Sequence, residues 1–267
     1  MTMVDPTARI EKGAAIGKNV SIGPYCVIGP NVMLGDNCRL SSHVVISGRT
    51  SVGPGTTIAS FASLGAAPQS VHYKGEDTAL EIGADCKIFE SVTVSLGTSG
   101  GHGVTRVGSN CMLMNGAHVG HDCVVGNNVV FASNATLGGF CVIGDHVFLG
   151  GLCAVHQFSR IGEQAMIGGL VGVTSDIIPF ALVIGHRGQL AGLNRVGLRR
   201  RGIAAADITK LYEAYQALFF GPGAFKERVE KVAAENAGRP LVMRVIDFIR
   251  TGKRKLAHPR SSAVEEE

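Results

Sequence analysis

The sequence predicts an all-β parallel β-helix built from hexapeptide repeats and closed by a C-terminal α-helical cap. Three observations lead there. From Ile10 every sixth residue is aliphatic through Leu64; the phase returns at Ile82, Ile88 and Val94, shifts by one, and runs unbroken from Val107 to Val173. Of these 25 positions 24 are aliphatic and one is Phe131, a period that neither an α-helix nor a plain strand produces. Glycine follows the aliphatic residue at 15 of them. Composition agrees: 37 glycines, no tryptophan and 6% aromatics do not suit a core of large side chains.

The elements follow in order. Residues 1–185 read as the β-helix: a short strand, a corner, and another short strand, with three hexads closing a triangular coil of 18 residues. Successive coils stack at roughly 4.8 Å. The aliphatic residue of each hexad fills the interior and a small residue four positions later completes it. Glycine with Asn or Asp at corners, as in Gly126-Asn127-Asn128 and Gly144-Asp145, is expected to supply positive φ. The breaks at 66–81 and 97–106 read as loops thrown out from the coil. Residues 186–267 read as a helical domain. Residues 203–220 place Ile208, Leu211, Tyr215, Leu218 and Phe219 on one side, and Gly221-Pro222-Gly223 ends that helix. Residues 224–237 and 241–250 read as two more helices, and everything from Lys253 onward as a frayed tail.

No apolar run reaches the length of a membrane helix, and the first residues lack a basic segment followed by an apolar one. A cytoplasmic protein with no transmembrane segment and no nucleic-acid partner is the expectation. Charge is uneven: residues 1–185 carry 9 basic and 12 acidic side chains, residues 186–267 carry 16 and 9. The basic C-terminal part fits an acidic partner, a phosphate, or simply a solvated helix face. All seven cysteines occupy the small-residue slot four after the aliphatic, so they read as interior residues rather than metal ligands or disulfides.

The 18-residue coil also serves as a ruler. Above His121 it stacks Gly139, then Gln157. A glycine over a histidine leaves a notch into which a backbone N–H can point, and a base beside a fixed donor is what acyl transfer requires. Asp122 can orient the imidazole only if the corner bends the two side chains together. His118 and His156 lie in the same wall. Position alone leaves open whether these histidines do chemistry or are hydrated surface groups.

The hexad resembles that of the hexapeptide acyltransferases, whose coils are left-handed. The segment from Asn115 through His118 to His121-Asp122, with Ala154-Val155-His156-Gln157-Phe158, Gly197 through Arg200-Arg201-Gly202, and the loop bearing Tyr73, Gly75 and Glu76, resembles the UDP-N-acetylglucosamine 3-O-acyltransferases over nearly the whole chain. The resemblance implies a homotrimer with sites between subunits. It implies transfer of a 3-hydroxyacyl group from acyl carrier protein to the sugar 3-position, the first step of lipid A synthesis, with no cofactor and no metal. His121 would be the general base, Asp122 its orienting carboxylate and Gly139 N–H the oxyanion donor. Gln69, His72, His118, His156, Gln157, Asn194, Arg200 and Arg201 would line the sugar-nucleotide site; Phe140, Gly151 and Gly169 would line the acyl groove.

Departures from the family pattern stand at Ser70, His72, Ser95, Leu96, Phe140 and Val196. Those near residues 69–72 keep open a 3-amino-3-deoxy sugar as acceptor, giving an amide. A metal hydrase of the γ-carbonic-anhydrase kind, using His102, His118 and His121, and a non-catalytic scaffold are the readings from other classes.

Overall fold

A computed structural model of the chain describes residues 1–259. Strands, mostly two residues long, form three sheets of 11, 9 and 8 strands, parallel except for a final antiparallel pair. The coils wind as a left-handed β-helix. Register follows the 18-residue ruler: Met112 pairs with Val130 and Val130 with Phe148, while His118 pairs with Thr136 and Thr136 with Ala154. The hexad residues Ile22, Ile28, Ile46, Leu113, Phe131 and Leu149 are buried in the lumen. All seven cysteines are free and buried among them.

The corners differ from expectation in one respect. Positive φ falls on the fourth hexad position, mostly on non-glycine residues such as Asn19, Asn37, Asp122, Asn128, Phe140 and Leu152. Asn128 fits the expectation, but Gly126 and Gly144 keep ordinary φ. These glycines are required by close approach instead. A Cβ on Gly144 would stand 2.5 Å from Glu163 N, and one on Gly126 would stand 2.8 Å from Asp145 N. The neighbouring coil's backbone, which cannot move aside, occupies the space.

Both predicted loops are present. Ile82 pairs with Val52 and Val107 with Ile82. Those separations, thirty and twenty-five, exceed eighteen by twelve and seven residues, which the two loops absorb without disturbing the lumen. The Ser99 hydroxyl donates to Glu76 Oε1 at 2.9 Å, so the loops touch each other.

Beyond Val173 a hairpin not foreseen from the hexads, Ala181–Ile184 and Gln189–Leu193, extends the largest sheet. Four helices follow: α1 Arg195–Arg200, α2 Ala205–Phe220, α3 Phe225–Glu235 and α4 Pro240–Arg250. The short α1 was also unforeseen. Arg228 donates to the carbonyls of Leu218, Gly221 and Gly223, taking up the free C-terminal acceptors of α2. Pro240 opens α4 at a position where no helical N–H is needed.

The helices share one apolar cluster with the lumen. Arg160 donates to the buried Asp176 at 2.7 Å and to Phe248 O, and lies over the Phe248 ring. The expected frayed tail is not seen at 253–259: Asp176 N–H donates to Lys255 O, Ala257 N–H to Asp176 O and Leu190 N–H to His258 O. These strand-like bonds cover a sheet edge that would otherwise be open. The rest of the expected tail lies outside the described residues.

Candidate active site

The corner after the strand His118–Val119 carries a densely bonded polar cluster. Asp122 takes the fourth hexad position with φ 58°, and that bend brings its carboxylate back beside the preceding side chain. His121 Nδ1 is 2.8 Å from Asp122 Oδ2; the imidazole is 17% exposed and the carboxylate fully buried. Neighbours on a flat strand would diverge; here the corner turns them together.

The 97–106 loop completes the carboxylate's shell. Thr98 donates its hydroxyl to Oδ2 at 2.6 Å and its backbone N–H at 3.1 Å, and His102 N–H donates to Oδ1 at 2.9 Å. Asp122 N–H donates to Thr105 Oγ1. Gly101 packs so closely on the carboxylate that no side chain fits there. Burial pushes the Asp122 pKa up, but the hydrogen bonds from Thr98, His121 and His102 outweigh it and hold the group below its ordinary value. An ionised Asp122 fixes a proton on His121 Nδ1, which leaves Nε2 as a free base aimed outward. His118 Nδ1 is 2.7 Å from Thr93 Oγ1. Burial and the nearby His121 lower the His118 pKa, so it faces the site neutral.

One coil up, a Cβ on Gly139 would stand 2.8 Å from His121 Nε2. Among the described residues no acceptor takes the Gly139 N–H. Phe140 N–H donates to His121 O, and its ring meets the imidazole edge-on at 5.1 Å and stacks on Phe158 at 4.6 Å. Both phenylalanines have positive φ, a conformation disfavoured by about 1–2 kcal/mol for such residues. They give the notch a dry wall. His156 Nδ1 is 3.0 Å from Gln157 O, and both residues are exposed above Gly139. An oriented base, a free N–H above it and an apolar flank form a constellation able to deprotonate a hydroxyl and stabilise an oxyanion.

The other candidates lie on other elements of the chain. The Asn194 amide is buried: it donates to Gln164 O and accepts from Gly197 N–H as the cap of α1. Arg200 and Arg201 end that helix, exposed, and Arg201 donates to His146 O. Gln69 and His72 are exposed on the first loop. Gly151 and Gly169 stack at a different corner; a Cβ on Gly169 would meet only Gly151 O at 3.2 Å, so a side chain there would project outward. Within one chain this corner is not brought to His121. Of the departures, Ser95 and Leu96 are buried and Val196 is exposed. His102 reaches Asp122 only through its backbone, and among the described residues no group of three His, Cys, Asp or Glu side chains could hold a metal within the chain. The residues alone do not point to Thr93, which sits on the strand beside His118, or to Thr98 and Thr105. The phase break marks the loop of the latter two, but nothing local says which of its residues turns toward Asp122.

A model described as UDP-N-acetylglucosamine O-acyltransferase, domain 2, matches residues 176–257, and bacterial transferase hexapeptide repeats match 13–48 and 105–139. The chain is 52% identical over its full length to 99% of an acyl-(acyl-carrier-protein)–UDP-N-acetylglucosamine O-acyltransferase of Azorhizobium caulinodans. It is 59% identical, over 76% of its length and 75% of the relative, to one of the same name from Methylobacterium radiotolerans. The solved UDP-N-acetylglucosamine acyltransferase of Francisella novicida superposes with a TM-score of 0.94 at 31% identity, covering 99% of this chain and 100% of that one.

Proposed function

The chain belongs to the acyl-(acyl-carrier-protein)–UDP-N-acetylglucosamine O-acyltransferase family, and from that premise we propose how its residues carry the reaction. It is an enzyme that moves an acyl group from acyl carrier protein to UDP-N-acetylglucosamine at the start of lipid A synthesis. The amide-forming and metal-hydrase alternatives find no support among these relatives, which are named O-acyltransferases.

In the finer reading, His121 Nε2 takes the proton of the sugar 3-hydroxyl as that oxygen attacks the thioester carbonyl of a 3-hydroxyacyl donor. The Gly139 N–H donates a hydrogen bond to the developing oxyanion, and Asp122 steadies the imidazolium. Collapse breaks the C–S bond, and His121 returns the proton to the leaving thiolate. The His121–Asp122 contact beneath the unpartnered Gly139 N–H carries this reading. His118, His156 and Gln157 line the sugar side, with Asn194 seating α1 so that Arg200 and Arg201 present forked donors to the diphosphate. Gln69 and His72 would reach the acceptor from the first loop.

The working unit is a homotrimer. Phe158, Leu152 and Leu170 are 45%, 58% and 64% exposed along two corners, and packing those corners together would bring the Gly151–Gly169 groove to His121. No helix among the described residues is long and apolar enough to cross a membrane. Seven unpaired cysteines suit a reducing compartment, and we place the enzyme in the cytoplasm. The residues divide at 185 into a β-helix that carries the base and a C-terminal domain that carries the arginines.

A mass-resolved product assay tests the reading. Purified protein receives UDP-N-acetylglucosamine, or its 3-amino analogue, with 3-hydroxyacyl carrier proteins of graded length. A base-labile ester on the normal sugar is expected. A base-stable amide formed only on the amino sugar would change the acceptor; no product with any pair would overturn the activity.

A further inference from the structure

We infer that the thiol of Cys123 is a positioning residue for acyl transfer: it tethers the Gly138–Gly139 peptide so that the Gly139 N–H faces outward over His121. The inference rests on the oxyanion role proposed for Gly139. Cys123 is fully buried, and its Sγ donates to Gly138 O at 3.1 Å. In a trans peptide the C=O and the following N–H point in opposite directions. A carbonyl drawn inward to the lumen thiol therefore sends the Gly139 N–H out toward the notch. The thiol bond also draws charge through the amide and strengthens that N–H as a donor.

The tether has little competition. Among the described residues no backbone N–H donates to Gly138 O and no acceptor takes Gly139 N–H. Flanking bonds fix only the ends, Gly138 N–H to Val155 O and Phe158 N–H to Gly139 O. A peptide between two glycines has no Cβ to resist rotation. Other corners show the contrast. At Gly108–Ser109 the carbonyl accepts from Cys86 Sγ and the N–H is taken by Asn127 Oδ1; at Gly126–Asn127 the corresponding partners are Cys111 Sγ and Asp145 Oδ1. Both ends of those peptides are held by side chains. At Gly138–Gly139 the next coil offers Gln157 instead, which leaves the N–H open and, among the described residues, the thiol as the one side chain bonded to this peptide; His156–Gln157, held by Cys141 Sγ, repeats the arrangement one coil up. Hydrogen bonding within reach of Cys141 Sγ, together with burial, raises the Cys123 pKa, so the sulfur stays a protonated thiol, with Cys141 Sγ the one competitor for its proton beside Gly138 O among the described residues.

The test uses the full-length enzyme with Cys123→Val, Cys123→Ser and the control Cys111→Val. Valine occupies the same buried slot at Val129 and Val147, so the fold tolerates it while the donor is lost. Cys123→Val is expected to lower kcat about five- to tenfold, the worth of one such hydrogen bond. KM for UDP-N-acetylglucosamine and the midpoint of the pH profile should stay put. Cys123→Ser should recover most of kcat, and Cys111→Val should retain it. If Cys123→Val lowers the yield of folded protein, Cys123→Ala carries the same comparison. Glycine labelled with carbonyl ¹³C and amide ¹⁵N isolates the Gly-Gly peptides, of which 138–139 is one, and the Gly139 amide resonance should move only in the Cys123 variants. An unmoved resonance overturns the tether. A moved resonance with unchanged kcat overturns its catalytic role and locates the failure in the oxyanion assignment.

Discussion

Two corners of the coil stack, built on the same backbone, differ in what their side chains do. At one, Asn110, Asn128, His146 and Gln164 take the positive-φ position, and nearby side chains such as Asp145 take up backbone N–H groups of the coil below. At the other, Asp122, Phe140 and Phe158 take it, and Asp122 spends its carboxylate on His121 and an inserted loop. The first corner spends its polar side chains on the backbone of the coil below; the second, among the described residues, leaves the Gly139 N–H without an acceptor and builds a base beneath it. The difference teaches that the repeat supplies position, and that a change in what the corner's side chains bond to turns a corner into a site.

Glycine substitution at each corner should break the comparison most sharply. Gly139→Ala presses a methyl against the imidazole, a side chain able to rotate, whereas Gly144→Ala meets Glu163 backbone. Gly139→Ala keeps the N–H but pushes the base off its position and fills the notch, and should cut kcat by about a hundredfold, with a small change in melting temperature. Gly144→Ala should do the reverse, costing about 1–3 kcal/mol of stability with kcat nearly unchanged in the surviving fold. Steady-state kinetics beside thermal melts separate them.

Asp122→Asn comes next, with kcat reduced on the order of a hundredfold through loss of the imidazole's orientation. Its stability effect depends on pH. The folded pKa lies below the ordinary 3.8, so the carboxylate's contribution is complete above about pH 4 and disappears as pH falls through the folded value. Melting curves of wild type and Asp122→Asn should differ at neutral pH and converge in that acid range. Convergence already at pH 5 to 6 would mean the carboxylate is not depressed.

Thr98→Val removes one hydroxyl bond to a buried charge and should cost about 1.5–3 kcal/mol of stability, with a smaller loss of kcat because the loop's N–H bonds remain. The smallest effect on overall rate is expected for Gly169→Met. That side chain would project outward into the proposed groove, and the preferred acyl chain should shorten while turnover on the shorter donor persists. Competition among donors of graded length reads it directly.

Much was legible in the residues themselves. The six-residue period sets coil closure, lumen filling and the 18-residue columns because each hexad repeats the same local geometry. Stacking Gly139 over His121 follows from counting alone, and so does burial of the seven cysteines. Other features were not periodic and could not be counted. The glycine after most of the aliphatic residues looked like a source of positive φ, yet at Gly126 and Gly144 its cause is the neighbouring coil's backbone, a contact that a single hexad does not contain. Asn194 looked free to meet a ligand; the hairpin and α1 turn its amide inward to Gln164 O. Residues 255–259 looked frayed and instead pair with Asp176 and Leu190, because an open sheet edge recruits any chain long enough to reach it.

The sequence by itself determined the β-helix, the column that carries His121 and Gly139, the places where loops leave the coil, and the three longer helices that follow it. Only the tertiary structure decided that the corner at φ 58° swings Asp122 onto His121, and that Thr98 and His102 close over the carboxylate from more than eighteen residues away. The reason is physical. A repeat propagates local backbone preferences, which the residues encode one hexad at a time, whereas hydrogen bonds between an inserted loop and a corner depend on where two non-repeating segments meet in space.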